Sequence, residues 1–241
     1  MADWHGHEVV LNQLAEPLYK EDFQHGLQML ASFNPHPFIT QLVGYCKDKY
    51  ITEYHRHQSA EHLNELLQTE KLRSHDTMAR RFSLCINYVE LLVFLHNSSL
   101  GTRVMCDSND LNKTLNQLLV TVDLQLILND LDALPEVILP NGKIKCGHRE
   151  ITGDFAAPEQ RWPFDNRLFD NGELLPYDEK SDVWKIPDIC QHFLRNHPDT
   201  QALVFHLFKI HQKCKIENPE LRASALDVLL EYKEIHKKFG L

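Results

Sequence analysis

The residues with the clearest chemical potential lie between positions 101 and 132, where acidic and amide side chains interrupt short apolar runs. The apolar runs are Leu118–Val122 and Leu124–Leu128, and they predict small strands joined by loops. Loops carried on a rigid framework are where catalytic and binding residues concentrate. Asp107 and Asp110 precede the two runs and Asp130 follows them. Carboxylates in such loops can accept a proton or hold a hard divalent cation.

Cysteine and histidine offer weaker candidates for a site. The six cysteines have no Cys-x-x-Cys spacing, which argues against a zinc ribbon. We interpret most of them as buried free thiols, since buried cysteine behaves as a small hydrophobic residue. His55, His57 and His62 are close in sequence but have no cysteine nearby, so we do not predict a zinc site there.

Composition narrows the class of protein. The chain has 241 residues, of which 43% are hydrophobic and 24% charged, so collagen-like, disordered and disulfide-dense miniature classes are excluded. A formal charge of −9 argues against nucleic acid as the main partner. No run approaches the roughly 18 apolar residues of a spanning helix, and the N-terminus lacks signal-peptide features. Asn97 and Asn112 each head an Asn-x-Ser/Thr pattern and are candidate glycosylation sites.

The elements that would position these residues follow from periodicity and breakers. Apolar residues spaced 4-3-3 predict a helix over Glu21–Phe33, which Asn34-Pro35 ends. Two strands, Phe38–Cys46 and Tyr50–Tyr54, are joined by a charged turn. Further helices are predicted over Ala60–Leu67, Thr77–His96, Ser181–Leu194, Thr200–Cys214 and Ala223–Phe239. The order is a helix, a small sheet and then a helical bulk with a loop-rich centre.

Several segments resemble, in order, those of the protein-kinase fold. Ala157-Pro158-Glu159 matches the A-P-E signature that closes a kinase activation segment. The other matching segments are His36–Cys46 (end of the C helix and next strand), Thr52–Tyr54 (hinge), Phe94–His96 (end of the E helix), Ser181–Trp184 (start of the F helix) and Pro219–Arg222 (the late arginine).

The two catalytic segments, Val104–Leu111 and Asn129–Pro135, are unusual for a kinase. Together with three further stretches they closely resemble the protein O-mannose kinase family; these stretches are Lys145–Glu150, Asp154–Gln160 and Tyr177–Lys180. The resemblance implies an α+β, protein-kinase-like fold, with a mostly helical large lobe over 55–241. It also implies an incomplete small lobe over 1–54 that lacks the first strands.

This resemblance also implies an activity. Members of the family use ATP to phosphorylate the 6-position of an O-linked mannose in the core trisaccharide of α-dystroglycan. The implied cofactors are ATP and Mg²⁺, with Mn²⁺ as a substitute. The implied location is the endoplasmic reticulum lumen, with contact to the membrane only through an anchor that this chain does not contain.

The resemblance assigns the catalytic base to Asp107, because Met105-Cys106-Asp107 replaces the usual His-Arg-Asp. Asp110 is the alternative, since Asp110-Leu111 resembles the Asp-Leu that normally follows the arginine.

By the same resemblance, Asp130 is the metal ligand in place of the Asp of Asp-Phe-Gly. Asp154-Phe155 looks more like that motif, but three residues before Ala157 leave no room for an activation segment. The second metal ligand is Asn112 or Gln117, and the sequence leaves both open. Asp132 is either a further metal contact or the cap of a turn.

The remaining assignments from the resemblance are structural or peripheral. Glu53 and Tyr54 form the nucleotide hinge, Glu159 pairs with Arg222, and Asp182 accepts backbone N–H groups of the catalytic loop. Trp162 and Trp184 are interpreted as core residues rather than substrate platforms. Cys106 and Cys146 form a candidate disulfide, which requires a secretory compartment.

Some kinase features are missing from the sequence. No G-x-G-x-x-G occurs, and no lysine precedes Lys20. The helix position for the lysine's glutamate partner falls near His25-Gly26, and Glu21 and Asp22, a turn earlier, are the alternative. We therefore expect a chain truncated at its N-terminus. A catalytically inactive, kinase-like scaffold that binds glycan or protein partners is the alternative.

Overall fold

The computed structural model describes residues 1–138, 143–146, 150–195 and 197–241. It confirms the predicted α+β class and divides into two compact units. The first unit comprises Met1–Ala60 and Asn116–Leu134, and the second comprises Glu61–Leu115 and Pro135–Leu241. These units group residues differently from the lobes predicted from the sequence, because 116–134 joins the first unit.

The first unit contains a four-stranded antiparallel sheet. Its strands are β1 (Ala2–Trp4), β2 (His7–Gln13), β3 (Leu42–Cys46) and β4 (Lys49–Glu53), in the order β1-β2-β4-β3. Val9 pairs with Glu53 and Gln13 with Lys49 across β2 and β4. The strands β3 and β4 were predicted, and the structure confirms both: β3 begins four residues later than predicted, and β4 is shifted by one residue towards the N-terminus.

The hairpin of β1 and β2 was not predicted. Its turn uses His5 and Gly6 at positive φ (52° and 84°) in place of the usual Asn-Gly or Asp-Gly signal. Val9 is the one buried residue of β2, so the strand shows no clear apolar alternation. Pairing with β4 therefore forms this strand, and local sequence preference contributes little.

The helix of the first unit, α1 (Lys20–Phe33), matches the prediction within one residue. Its buried residues are Gly26, Met29, Leu30 and Phe33. Glu21 and Asp22 lie in its first turn, where the helix dipole stabilises negatively charged side chains. An extended Asn34 follows it before Pro35.

A second hairpin, β5 (Leu118–Val120) and β6 (Leu126–Leu128), completes the first unit. All three residues of β6 are buried. Leu128 forms a parallel bridge with Ile39, and the Thr40 N–H donates to the Leu128 carbonyl at 3.0 Å. These bonds explain why 116–134 groups with the N-terminal sheet and not with the residues that flank it in sequence.

The second unit is helical. Its helices are α2 (Leu63–Gln68), α3 (Met78–His96), α4 (Leu111–Asn116, whose last residue counts with the first unit), α5 (Lys180–Leu194), α6 (Gln201–Cys214) and α7 (Ala225–Phe239). Helix α3 packs against α5 and α7, and α6 packs against α5 and α7 as well. Only α4 was not predicted. The Thr77 hydroxyl accepts the Arg80 N–H at 3.1 Å and fixes the start of α3.

Four of the six cysteines form disulfides, so the interpretation of most cysteines as free thiols was wrong. Cys85 of α3 is linked to Cys190 of α5, and Cys106 is linked to Cys146. The Cα–Cα distances are 5.0 and 5.2 Å, within the range of ordinary disulfides. Cys46 and Cys214 are free. Sequence spacing could not reveal either pair, because their partners lie 105 and 40 residues apart.

Among the described residues, no helix has both the length and the apolar character needed to cross a membrane.

Candidate active site

Asp107 lies on a loop of the second unit between buried Val104 and the short helix α4. Its carboxylate forms an ion pair with the Lys113 ammonium and remains 38% exposed. The carboxylate is therefore accessible to a substrate while a cation holds it in place. Sequence reasoning missed Lys113, because Asn112-Lys113-Thr114 was interpreted as a glycosylation pattern with a candidate metal ligand at Asn112, and the lysine received no role.

The backbone of this loop is anchored from within the second unit. The Met105 N–H donates to Asp182 Oδ2 at 3.1 Å, and His96 Nε2 lies 3.3 Å from the same oxygen. Asp182 is fully buried in the first turn of α5. It thus accepts a backbone N–H of the loop two residues before Asp107.

Asp110, the alternative base, caps α4. The Lys113 N–H donates to Asp110 Oδ1 at 2.8 Å, and the Thr114 N–H donates to the Asp110 carbonyl at 3.0 Å. One carboxylate oxygen of Asp110 is thus used as the N-terminal cap of the helix. The two candidate bases therefore differ in what their carboxylates contact.

Asp130 and Asp132 line a cavity of about 150 Å³ in the first unit. Leu131 between them is buried, so the two aspartates flank an anchored residue. The rest of the lining consists of Gln13, Leu14, Ala15, Tyr19, Asp22, Phe23, Gly26, Leu30 and Tyr50. Burial, then Asp130 and Asp132, raise the pKa of Tyr50 to about 12. The cavity lining therefore brings together several carboxylates, whose oxygens are the ligands that Mg²⁺ prefers.

The two amide candidates occupy different environments. Gln117 is buried and directly precedes β5. Its backbone carbonyl accepts the Asn129 N–H at 2.9 Å, so Gln117 lies opposite the residue that precedes Asp130. Asn112 is exposed on α4 in the second unit. Gln117 therefore lies in the same unit as Asp130, at the strand end that precedes it.

Gly26 of α1 lies in the His25-Gly26 stretch near which the resemblance places the glutamate partner of a kinase lysine. A β-carbon on Gly26 would lie 3.2 Å from both Cα and Cβ of Asp132, which is tighter than ordinary contact. The helix and the Asp130–Asp132 segment can pack this closely because residue 26 has no side chain.

The hinge candidates lie at the end of β4. Glu53 Oε1 accepts the Gln41 N–H at 2.8 Å and lies 3.2 Å from His55 Nε2. The hydrogen bond to His55 lowers the pKa of Glu53 although partial burial opposes it. Tyr54 lines a separate, open cavity of about 590 Å³ together with Glu53. The side chain of Glu53 is thus engaged in local structure.

The three histidines that follow the hinge do not converge. His55 contacts Glu53, His57 Nδ1 lies 3.0 Å from the Thr121 carbonyl, and His62 lies 3.9 Å from Glu61. Among the described residues, no group of three or more His, Cys, Asp or Glu is arranged to hold a metal ion.

Glu159 and Arg222 form a bidentate ion pair. Arg222 Nη1 and Nη2 lie 2.5 and 2.9 Å from the two carboxylate oxygens, and the Arg222 side chain is completely buried. Trp184 is largely buried, 5.1 Å from the Arg222 guanidinium, and its indole N–H donates to the Asp154 carbonyl. Asp154 itself has a fully exposed carboxylate, 3.6 Å from Arg161.

Trp162 differs from Trp184 and is only half-buried. Its indole N–H donates to the Arg167 carbonyl at 3.0 Å, and its ring contacts Phe164 and Phe169 edge-on. Trp184 therefore occupies the core position expected from the sequence, whereas Trp162 lies in an exposed loop.

The Cys106–Cys146 disulfide joins the residue before Asp107 to the segment 143–146. The structure pairs the two cysteines proposed from the sequence. Gly147, His148 and Arg149 of the family-like stretch lie outside the described residues. Asn97, the other glycosylation candidate, is exposed at the end of α3, where its amide donates to the Val93 carbonyl.

No protein-family model matches the chain. Curated relatives do match over 239 residues, which is 98% of this chain. Protein O-mannose kinase of Gallus gallus is 46% identical, and the match covers 67% of its length. The human and Xenopus laevis proteins of the same name are 46% and 43% identical, each with 68% of its length covered. Identity at this level over nearly the whole chain shows common descent.

Proposed function

The chain belongs to the protein O-mannose kinase family, and we propose that it transfers the γ-phosphoryl group of ATP to the 6-hydroxyl of an O-linked mannose. The acceptor we propose is the core trisaccharide on α-dystroglycan, in the lumen of the endoplasmic reticulum. The observation that carries this proposal is the exposed, cation-paired carboxylate of Asp107 on a loop whose backbone is bonded to buried Asp182.

Asp107 acts as the general base. Phosphoryl transfer requires positioning and charge stabilisation more than covalent chemistry. A bond forms between the mannose oxygen and the γ-phosphorus, while the bond from that phosphorus to the β–γ bridging oxygen breaks and ADP leaves. The proton of the sugar hydroxyl passes to Asp107. Asp110 does not compete for this role, because its carboxylate caps α4.

Lys113 is the cation that accompanies the base. Its ammonium is ion-paired with Asp107 and half-exposed, so it can also donate to a phosphoryl oxygen of the nucleotide. This contact would stabilise the negative charge that spreads over the transferred group.

Asp130 and Gln117 hold Mg²⁺ or Mn²⁺, and Asp132 supports the same segment. When bound, the cation neutralises charge on the nucleotide phosphates. Asp130 follows the end of β6 by two residues, and the bond from the Asn129 N–H to the Gln117 backbone carbonyl puts Gln117 opposite the preceding residue. The side-chain oxygens of Asp130 and Gln117 are of the type that a hard cation prefers. The backbone near Glu53 and Tyr54 serves as the adenine hinge of a kinase small lobe, and the helical unit serves as its large lobe.

The test is Mg²⁺-dependent transfer of phosphate from ATP to an O-mannosyl trisaccharide. Asp107→Asn should lower the rate by about 10²–10⁴-fold, the usual contribution of a general base. Asp110→Asn is the matched control, since asparagine also caps helices and should retain most of the activity. The assignment is wrong if Asp110→Asn abolishes transfer and Asp107→Asn does not.

One observation favours a second candidate, a kinase-like scaffold that binds the glycan without phosphorylating it. The contact of Gly26 with Asp132 leaves no room for the glutamate that pairs with a kinase lysine at this helix position. Binding of the trisaccharide without any phosphate transfer would support the scaffold and contradict the kinase proposal.

A further inference from the structure

Lys185 of α5 is completely buried, although it has no part in the chemistry described above. Its Nζ lies 2.5 Å from Ser108 Oγ and 3.5 Å from Asp182 Oδ1. Ser108 is also fully buried and directly follows Asp107 in sequence. A buried ammonium thus contacts the residue next to the proposed base.

The Ser108 hydroxyl transmits this contact to the loop backbone. The hydroxyl oxygen accepts a hydrogen bond from Lys185 Nζ, and the O–H donates to the Met105 carbonyl. These two bonds use the one donor and one of the two acceptor positions of the hydroxyl. The N–H of the same residue, Met105, donates to Asp182. Lys185 and Asp182, one turn apart on α5, therefore hold the loop on both sides of Asp107.

The charged groups around Lys185 act in opposite directions on its pKa. Burial lowers its pKa, the nearby Asp182 carboxylate opposes that shift most strongly and Glu159 also opposes it, while Lys215 adds to the lowering. Within the described part of the chain, Asp182 Oδ1 has no hydrogen-bond partner, and the Lys185 Nζ at 3.5 Å forms an ion pair with that oxygen.

A lysine at this position is costly if packing is its only role. Methionine has a similar length and would fill the space without the desolvation penalty of a buried charge. The sequence carries a signal for this residue, because Lys185 stands between the apolar residues Trp184 and Ile186 in a helix buried on most sides.

We propose that Lys185 is a positioning residue that orients Asp107 through Ser108, an inference that rests on the proposed role of Asp107 as the base. The lysine does not touch the substrate. It fixes the peptide that carries the base, and misplacement of a catalytic group by about 1 Å can lower a rate by about 10²-fold.

The experiment compares Lys185→Met, Ser108→Ala and Asp107→Asn in the full chain, with the trisaccharide and Mg-ATP as substrates. We expect kcat to fall about tenfold or more in Lys185→Met and Ser108→Ala, while KM for ATP stays within about twofold. The acidic limb of the kcat–pH profile should also move, because the environment of the base changes. Lys233→Met, which breaks a surface pair with Glu90, is the control and should leave kcat unchanged.

Three results would overturn the proposal. If Asp107→Asn is inactive while Lys185→Met and Ser108→Ala keep the parental kcat and pH profile, only the positioning role is wrong. If Asp107→Asn stays active, the proposed base fails, and the positioning role fails with it. If Lys185→Met does not fold, Ser108→Ala decides alone, and a normal kcat in that variant contradicts the proposal.

Discussion

Gly26 packs directly against Asp132, so that a β-carbon on the glycine would lie 3.2 Å from both Cα and Cβ of the aspartate. A second contact of the same helix, His25 Nε2 to the Leu134 carbonyl at 3.3 Å, lies two residues further along the segment. Helix α1 therefore sets the path of the chain that carries Asp130 and Asp132. The proposed metal site depends on this packing as much as on its ligands.

Gly26→Ala should lower activity more than stability. Alanine favours a helix by up to about 1 kcal/mol over glycine, which offsets part of the clash with Asp132. The clash should displace the Asp130–Asp132 segment, so we expect a higher Mg²⁺ requirement with little change in the denaturation midpoint. Gly44→Ala is the control, because a β-carbon there meets nothing within 4 Å. Equal Mg²⁺ titrations for both variants would contradict the prediction.

Gln117→Leu should raise the Mg²⁺ concentration for half-maximal activity by about tenfold or more. Leucine removes the side-chain oxygen but has a similar size, so β5 and β6 should keep their register. Asn112→Gln, at the exposed alternative, should leave the Mg²⁺ titration unchanged and should remove any glycan attached there. The reverse pattern would assign the metal to Asn112.

Glu159→Ala should destabilise the protein by about 3–5 kcal/mol, because it leaves the buried Arg222 guanidinium without its carboxylate. Urea denaturation followed by circular dichroism measures the change. Glu173→Ala breaks the exposed pair with Arg167 and should cost less than about 1 kcal/mol. Similar losses in the two variants would show that burial of the first pair is not what makes it strong.

The two disulfides should each stabilise the protein by about 2–5 kcal/mol. Peptide mapping without reductant should recover the pairs Cys85–Cys190 and Cys106–Cys146 and leave Cys46 and Cys214 alkylated. The double variants Cys85→Ala/Cys190→Ala and Cys106→Ala/Cys146→Ala should unfold at lower temperature. Cys46→Ser, at an exposed free cysteine, should not change the unfolding temperature. Recovery of all six cysteines as free thiols would refute both pairs.

Stability should fall as the pH drops from about 6.5 to 4, in part because of His211. Burial, aided by Lys215, lowers the pKa of His211 to about 4, whereas the unfolded chain titrates near 6.5. In this window the unfolded state binds a proton that the folded state does not, so acid favours unfolding by up to about 3 kcal/mol.

His211→Gln should flatten that part of the pH dependence. Glutamine cannot titrate but can still hydrogen-bond to the Tyr232 hydroxyl, which lies 2.7 Å from His211 Nε2. Urea denaturation of both proteins between pH 7.5 and 4 measures the difference. An unchanged pH slope in the variant would show that His211 does not titrate as the structure indicates.

The helices and the central strands could be predicted from the sequence because their signals are local. Apolar periodicity identified α1, α3, α5, α6 and α7, and their bounds agree with the structure within two residues. The hairpin of β1 and β2 was missed because Val9 is its only buried residue in β2. Helix α4 was missed because it is a short, mostly polar segment inside a region that was interpreted as loops and small strands.

The motifs of the sequence by themselves determined the family, since 46% identity to the human and chicken proteins agrees with the resemblance based on short segments. They also identified Asp107, Asp130 and Asp182 as residues of interest, because each follows a recognisable local pattern. These motifs are defined by the order of residues along the chain, so they can be recognised without knowledge of its three-dimensional contacts.

Only the tertiary structure distinguished between residues of the same type. It assigned Asp110 to a helix cap, placed Gln117 opposite Asn129, and joined Cys85 to Cys190, which lie 105 residues apart. It also revealed Lys185 beneath the loop of Asp107 and the close contact of Gly26 with Asp132. These facts depend on which side chains the folded backbone brings within hydrogen-bonding or van der Waals distance, and linear spacing does not encode such long-range contacts.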